Sequence, residues 1–169
     1  MIELLVLTTL FFGPCHGYEI KKMHPGVKIN NNTLYPMLNK MIEKGVVSMT
    51  VQAQDNKPAK KVYSLTEKGR EVLFDLVTSF TEEEASSDDA FYMRVAFFQF
   101  LPKESIKAIL ETREKYLEHY EERQRMMKAL DYFPDNTYDI IYLKNYLGSK
   151  LFDEKHLVNT LKEKYHIED

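Results

Sequence analysis

The first twelve positions are apolar almost without interruption, so residues 2–12 are expected to form a helix buried on most of its circumference. Gly13-Pro14 ends it, because Gly tolerates the cap conformation and Pro cannot continue a helix. His16 to Met23 reads as a second, short helix with Ile20 and Met23 inward and Lys21 and Lys22 outward; His24-Pro25-Gly26 breaks it. Leu34, Leu38 and Met41 then recur at i, i+4 and i+7, one apolar face of a third helix inside Ile29 to Gly45. Any of Asn30, Asn31 or Asn32 can serve as its N-cap. Helix propensity favours Asn32, since Pro36 then loses a single bond near the start, whereas a cap at Asn30 puts Pro36 a turn further in. From Val47 the rhythm changes to alternation. Val47, Met49, Val51 and Ala53 lie on one side of a half-buried strand, Gln54 to Lys60 turns, and Lys61 to Leu65 returns with Tyr63 and Leu65 inward. Thr66 caps a helix running past Leu73, Leu76 and Val77.

Thr81 to Asp89 is polar and acidic and reads as a boundary or short linker, with Asp88-Asp89 suited to a helix start. Ala90 to Leu101 is apolar nearly all round and predicts a buried helix. After Pro102 a long helix runs from Lys103 to about Leu130, its inward stripe Ile106, Ile109, Leu110, Arg113, Leu117, Tyr120 and Met127. Phe133 to Asn136 is a loop. Tyr138 to about Tyr165 is a last helix with Ile140, Leu143, Leu147, Leu151, Leu157, Val158 and Leu161 inward, and Gly148 within it either bends it or permits close packing. Three helices with stripes this wide exceed what a small first domain can bury, so a second copy is expected. The fold class is mainly α: a DNA-binding winged helix-turn-helix with a two-stranded wing (1–80), then a helical domain (81–169) for dimerisation and effector binding.

Composition sharpens this only in part. The single Cys15 excludes an internal disulfide and fits a reducing cytoplasm. The apolar start lacks a basic lead, contains Glu3 and stops at Gly13-Pro14, so no export signal and no membrane span is expected. Net charge is −3, but residues 1–70 carry ten Lys/Arg against five Asp/Glu. That asymmetry fits a polyanion partner for the first half, and it also fits chance.

The candidate chemistry sits on the third helix. Its outer side shows Asn31, Asn32, Thr33, Tyr35, Asn39 and Lys40, where a solvated helix would carry Glu/Lys pairs. An uncharged hydrogen-bonding face is suited to reading base edges or sugars. Lys21, Lys22, Lys40, Lys57, Lys60 and Lys61 are expected to hold phosphates, with Tyr18 donating to another. The expected partner is double-stranded DNA with a two-fold operator, read by a homodimer whose recognition helices lie about one turn, roughly 34 Å, apart. A protein-interaction module using the same winged domain without DNA is the alternative.

Three segments carry a resemblance. GPCHGYEIKKM, NNTLYPMLNKMIEKGVV and KKVYSLTEKGRE, in that order, resemble the PadR family of bacterial transcriptional regulators over roughly residues 1–75. The resemblance implies a winged helix-turn-helix, dimerisation through C-terminal helices, and a helix cap at Asn30 rather than Asn32. The chain departs from the pattern at Asn32, where the family often has Gly, and in the wing, DNKPAKK here. The second half looks like the longer-tailed subfamily that includes phenolic-acid-responsive repressors, which implies repression relieved by a small aromatic effector. Tyr92, Phe97, Phe98, Tyr116 and Tyr120 line a cavity for it on that reading and are ordinary core on the other.

Other chemistry is weaker. Cys15 and His16 are chain neighbours with no orienting acid, so neither catalysis nor redox sensing is expected. His24, His119, His156 and His166 lack metal-ligand spacing. Arg113 is expected to pair with an acid from a second subunit, or to hold a ligand carboxylate. No catalytic residues, metal or cofactor are expected, and the protein is not expected to be an enzyme.

Overall fold

The computed structural model describes residues 2–23, 29–54, 57–129 and 138–168, with the backbone alone at 54, 57–58, 127–129 and 138–144. These residues divide into two compact units, Met1–Ser79 and Phe80–Asp169. The expected His24-Pro25-Gly26 break, the Asp55-Asn56 turn and the Phe133 to Asn136 loop lie outside the described residues, as do Leu130 and the side chains of Lys57, Met127, Ile140 and Leu143.

The first unit is built on α1 (Ile2–Phe11), in which every residue from Leu4 to Leu10 is buried. A helix hidden all round must satisfy its own polar groups. Thr8 and Thr9 do so by donating their hydroxyls to the Leu5 carbonyl, both at 2.9 Å. Cys15–His16 forms a short strand, β1, and His16 is also the N-cap of α2 (Gly17–Lys22). Then follow α3 (Asn31–Glu43), β2 (Val47–Gln54), β3 (Lys57–Leu65) and α4 (Glu67–Thr78). The two-stranded wing, β2 and β3, is as expected, and β1 adds a third strand to give an antiparallel sheet in the order β1-β3-β2. Two residues are too few for an alternating pattern to announce a strand. Leu34 and Leu38 of α3, Ile20 of α2, Val46, Val47, Val62, Tyr63, and Leu73 and Val77 of α4 complete the core around α1.

The cap of α3 decides between the two expectations. Asn30 is the N-cap: its Oδ1 accepts from Thr33 N at 2.9 Å and from Thr33 Oγ1 at 3.0 Å. The propensity argument for Asn32 fails because the bond that Pro36 cannot donate would have gone to the carbonyl of Asn32, and Asn32 is exposed, so water replaces it. At the other end Gly45 takes φ 69°, Gly45 N donates to the Ile42 carbonyl and Val46 N to the Met41 carbonyl, both 2.9 Å. That pair of bonds is a Schellman stop. Replacing Asn30 by Ala is expected to cost about 1 kcal/mol of first-unit stability. Urea titration checks it, and an unchanged midpoint would exclude the cap.

The wing departs from its expected burial. Val47 is buried, but Met49, Val51 and Ala53 are exposed, Val51 at 62%. Inward residues at the root of the ribbon meet the helices, whereas residues nearer its tip have no layer beside them. The strand β3 also starts earlier than expected, so Lys60 belongs to the strand, paired across from Gln52, and not to the turn; Lys61, paired with Val51, is in the strand as expected.

In the second unit, Glu84–Ser86 is a single 3-10 turn, followed by α5 (Asp88–Val95), a 3-10 turn at Phe98–Phe100, α6 (Lys103–Ala129) and α7 (Tyr138–Lys164). The expected continuous helix over Ala90 to Leu101 is broken after Val95, because Phe97 and Phe98 are both buried and the tighter turn lets consecutive rings face inward. Helices α6 and α7 run antiparallel, as the ion pairs Glu114–Lys162 and Glu121–Lys155 require. Phe91, Phe98, Ile106, Ile109, Leu110, Leu117, Val158, Leu161 and Ile167 form one core. The three helices thus bury much of their stripes on one another, so burial alone does not call for a second chain. A Cβ on Gly148 would meet nothing within 4 Å, so close packing is not its role among the described residues.

The boundary expected over Thr81 to Asp89 falls just before it, between Ser79 and Phe80, and the stretch itself packs within the second unit. Ala85 is fully buried, Glu84 pairs with the buried Arg94 at 2.8 Å, and Asp88 pairs with the buried Arg113 at 2.6 Å. Arg113 also binds Glu154 at 2.8 Å and the Ala85 carbonyl, so its acidic partners come from its own chain rather than from a second subunit.

Candidate nucleic-acid interface

Helices α2 and α3 are joined at their exposed ends. Lys21 Nζ donates to Asn31 Oδ1 at 2.8 Å and lies 5.9 Å from the centre of the Tyr18 ring. Tyr18, Lys21 and Asn31 are thereby brought into one cluster, with Tyr18 69% exposed. Along α3, Asn32, Tyr35, Asn39 and Lys40 are exposed on the side opposite Leu34, Leu38 and Met41, and Thr33 is half-buried with its hydroxyl on Asn30. The amides of Asn32 and Asn39 can each donate and accept, which is the equipment a base edge requires.

The lysines are less concentrated than the sequence implied. Lys22, Lys60 and Lys61 are exposed, but Lys60 and Lys61 are neighbours on a strand and so point to opposite faces of the ribbon. The two cannot address the same phosphate row. Lys57 lies at the start of β3, and its side chain is outside the described residues.

The base of the wing is held by backbone-directed bonds. His16 N donates to Glu19 Oε2 at 2.7 Å, closing the start of α2. His16 Nδ1 lies 3.1 Å from the Lys61 carbonyl, within reach to donate to it in the Nδ1–H tautomer. Thr66 caps α4 by accepting from Gly69 N at 3.0 Å. Lys68 donates to the Lys44 carbonyl at 2.9 Å, placing a cation at the negative end of α3. Cys15 is buried, and burial, followed by the nearby Glu19 carboxylate, pushes its thiol up to about 11, which makes it a poor nucleophile at neutral pH.

One residue of this region had no role assigned from the sequence: Gly17, the first residue of α2, is buried against Tyr35. Tyr63 of β3 is buried, as its inward position predicts. Glycine at a helix position, where it is costly, was the signal available for Gly17.

In the second unit, Tyr116 and Tyr120 stack with ring centres 6.2 Å apart and line a cavity of about 110 Å³ with Arg113, Lys150 and Glu154. Phe97 and Phe98 are core, and Tyr92 donates its hydroxyl to Glu154. That bond first, then burial, pushes the Tyr92 phenol up to about 12. Among the described residues there is no group of His, Cys, Asp and Glu fit to hold a metal, and no helix is long and apolar enough to cross a membrane.

A short helix laid beside an amide-bearing helix, with a β ribbon behind, defines a winged helix-turn-helix. Residues 6–75 match the model of the transcriptional regulator PadR-like family, so this segment is a PadR-like domain. The comparison with curated proteins returned no match. Among solved structures, the chain is similar to a PadR-like transcription factor from Bacteroides fragilis, with 26% identity over 47% of this chain and 79% of that one and a TM-score of 0.45. It is similar to smu.1704 of Streptococcus mutans, with 32% identity over 44% and 71% and a TM-score of 0.41. It is also similar to Bacillus subtilis PadR, solved in complex with operator DNA, with 20% identity over 98% and 97% and a TM-score of 0.46.

Proposed function

We propose that this regulator binds DNA sequence-specifically as a cytoplasmic homodimer and represses transcription until a small aromatic effector releases it. The observation that carries the reading is the exposed, amide-rich face of α3, with Lys40 on it and Lys21 of α2 bonded to its Asn31. In that arrangement Asn31, Asn32, Thr33 and Asn39 address base edges, while Lys21, Lys22, Lys40, Lys57, Lys60 and Lys61, with Tyr18, address phosphates. Tyr146 and Phe152 on α7 and Met126 on α6 remain exposed, and they support a second copy on the helical unit. The tyrosine-walled cavity supports an effector there, acting by linkage: a ligand preferring a dimer with misplaced recognition helices lowers DNA affinity by its differential affinity.

The test is binding to DNA from its own promoter and to random duplex across a range of salt. The wild type is expected to prefer its promoter, with affinity falling steeply with salt. Lys60→Ala is expected to weaken both duplexes alike and lower the salt slope by about one. A loss confined to the promoter duplex would remove Lys60 from the phosphate set, and no binding at any salt would leave the winged domain as a protein-interaction module.

A further inference from the structure

Tyr35 stands in the middle of the amide-rich face of α3, yet its ring is engaged elsewhere. A Cβ built on Gly17 would lie 2.9 Å from Tyr35 Cε1, 3.1 Å from its hydroxyl oxygen and 3.3 Å from Cζ. The end of the phenol that could donate to a base is therefore the end lying against the first residue of α2. Gly17 is buried beneath it, and Tyr35 as a whole retains 39% exposure.

The contact is anchored on both sides. Gly17 directly follows β1, whose Cys15 and His16 pair with Tyr63 and Val62 of β3. Tyr63 is 3% exposed, and its phenol is held above its ordinary value by burial and by the Tyr35 phenol nearby. On the other side, Leu34 and Leu38 of α3 are fully buried, so the helix carrying Tyr35 is not free to roll. The second link between the two helices, Lys21 to Asn31, joins exposed groups, where water competes for both. The ring of Tyr35 in its glycine notch is thus a packed contact between α3 and the start of α2, beside the buried Ile20, Leu34 and Leu38.

We infer that Tyr35 is a positioning residue for DNA reading: seated against Gly17, it sets the angle of α3, and it governs selectivity through Asn32 and Asn39 without reading a base itself. This rests on the DNA-binding function proposed above. Base-edge contacts tolerate errors of only about 0.5 Å and 10–20° in their supporting frame, so a tilted α3 loses selectivity while its charges still hold phosphates.

The test is a double-mutant cycle on full-length protein, read as the ratio of affinities for promoter and random duplex. Y35F keeps the ring in the notch and is expected to hold the ratio within about twofold, whereas Y35L and G17A each lower it by about tenfold. The G17A/Y35L protein is expected to be no worse than Y35L alone, because the added methyl then meets no ring. If G17A does not fold, recovery of folding in G17A/Y35L supports the notch, and a double variant that stays unfolded overturns it. A Y35F loss as large as that of Y35L would assign the hydroxyl to DNA, and additive effects of G17A and Y35L would remove the coupling; either overturns the inference. A wild type that binds both duplexes equally would instead sink the DNA-reading function, a result distinct from both, and the inference with it.

Discussion

Replacing Arg113 by Ala is expected to cost about 3–5 kcal/mol of second-unit stability, the largest effect of any single change proposed. The side chain is 1% exposed and lies between the rings of Phe91, 5.0 Å away, and Tyr116, 5.4 Å away. Its guanidinium joins Asp88 on α5 to Glu154 on α7 and reaches the Ala85 carbonyl, so one residue of α6 ties three segments together. Burial works against its charge, but the bonds to Asp88 and Glu154 outweigh that and hold it above its ordinary value. Truncation would strand the buried Glu154 carboxylate as an uncompensated charge. The companion variant Arg113→Met with Glu154→Leu removes both charges and is expected to recover much of the loss. Denaturant midpoints of the two proteins give the comparison, and equal losses would show that the pair contributes packing alone.

The same network gives a pH dependence of defined sign. Burial alone would raise the Asp88 carboxyl, yet Lys150 and Arg113 hold it below its ordinary value. A group depressed in the folded state contributes stability above its unfolded value, and that contribution is lost as pH falls through the folded one. Acid should therefore weaken the second unit of the wild type more than that of the Arg113→Met, Glu154→Leu protein.

Gly69→Ala is expected to be the most damaging single-methyl change in the first unit. The new Cβ would fall inside contact distance of the Val46 carbonyl oxygen and 2.7 Å from Leu65 Cδ1. A side-chain end could swing aside, but a backbone carbonyl cannot. This one already accepts from Thr66 N at 3.2 Å and Thr66 Oγ1 at 2.9 Å, so moving it disturbs the wing root and the cap of α4 together. Overpacking of this kind costs about 1–3 kcal/mol, and the upper end is expected here. Thermal unfolding measures it. A midpoint unchanged from wild type would mean that α4 can slide without loss.

The first unit was largely legible because its signals are local. Leu34, Leu38 and Met41 share a face at helical spacing, Gly45 supplies the left-handed stop, and Thr66 precedes its helix as a cap should. What misled was also local: Pro36 argued for a late cap, whereas the exposure of Asn32, the residue four before Pro36, makes the early cap at Asn30 cheap. In the second unit the decisive partners are far apart in sequence. The helix start at Asp88 was legible, but the ion pairs of Glu84 and Asp88 were not, because Arg94 and Arg113 lie 10 and 25 positions on. A contact such as Tyr35 on Gly17 was hidden for the same reason: it joins residues of two different helices, and neither residue shows its partner in the pattern around it.

The central claim is that the amides of α3 read sequence while the lysines around them hold the duplex. Comparing Asn39→Ala with wild type on promoter and random duplex at fixed salt tests it most directly. Losing an amide that addresses a base is expected to cost about 1–3 kcal/mol on the promoter duplex and leave random duplex unchanged. Equal weakening on both, or none on either, would contradict the claim.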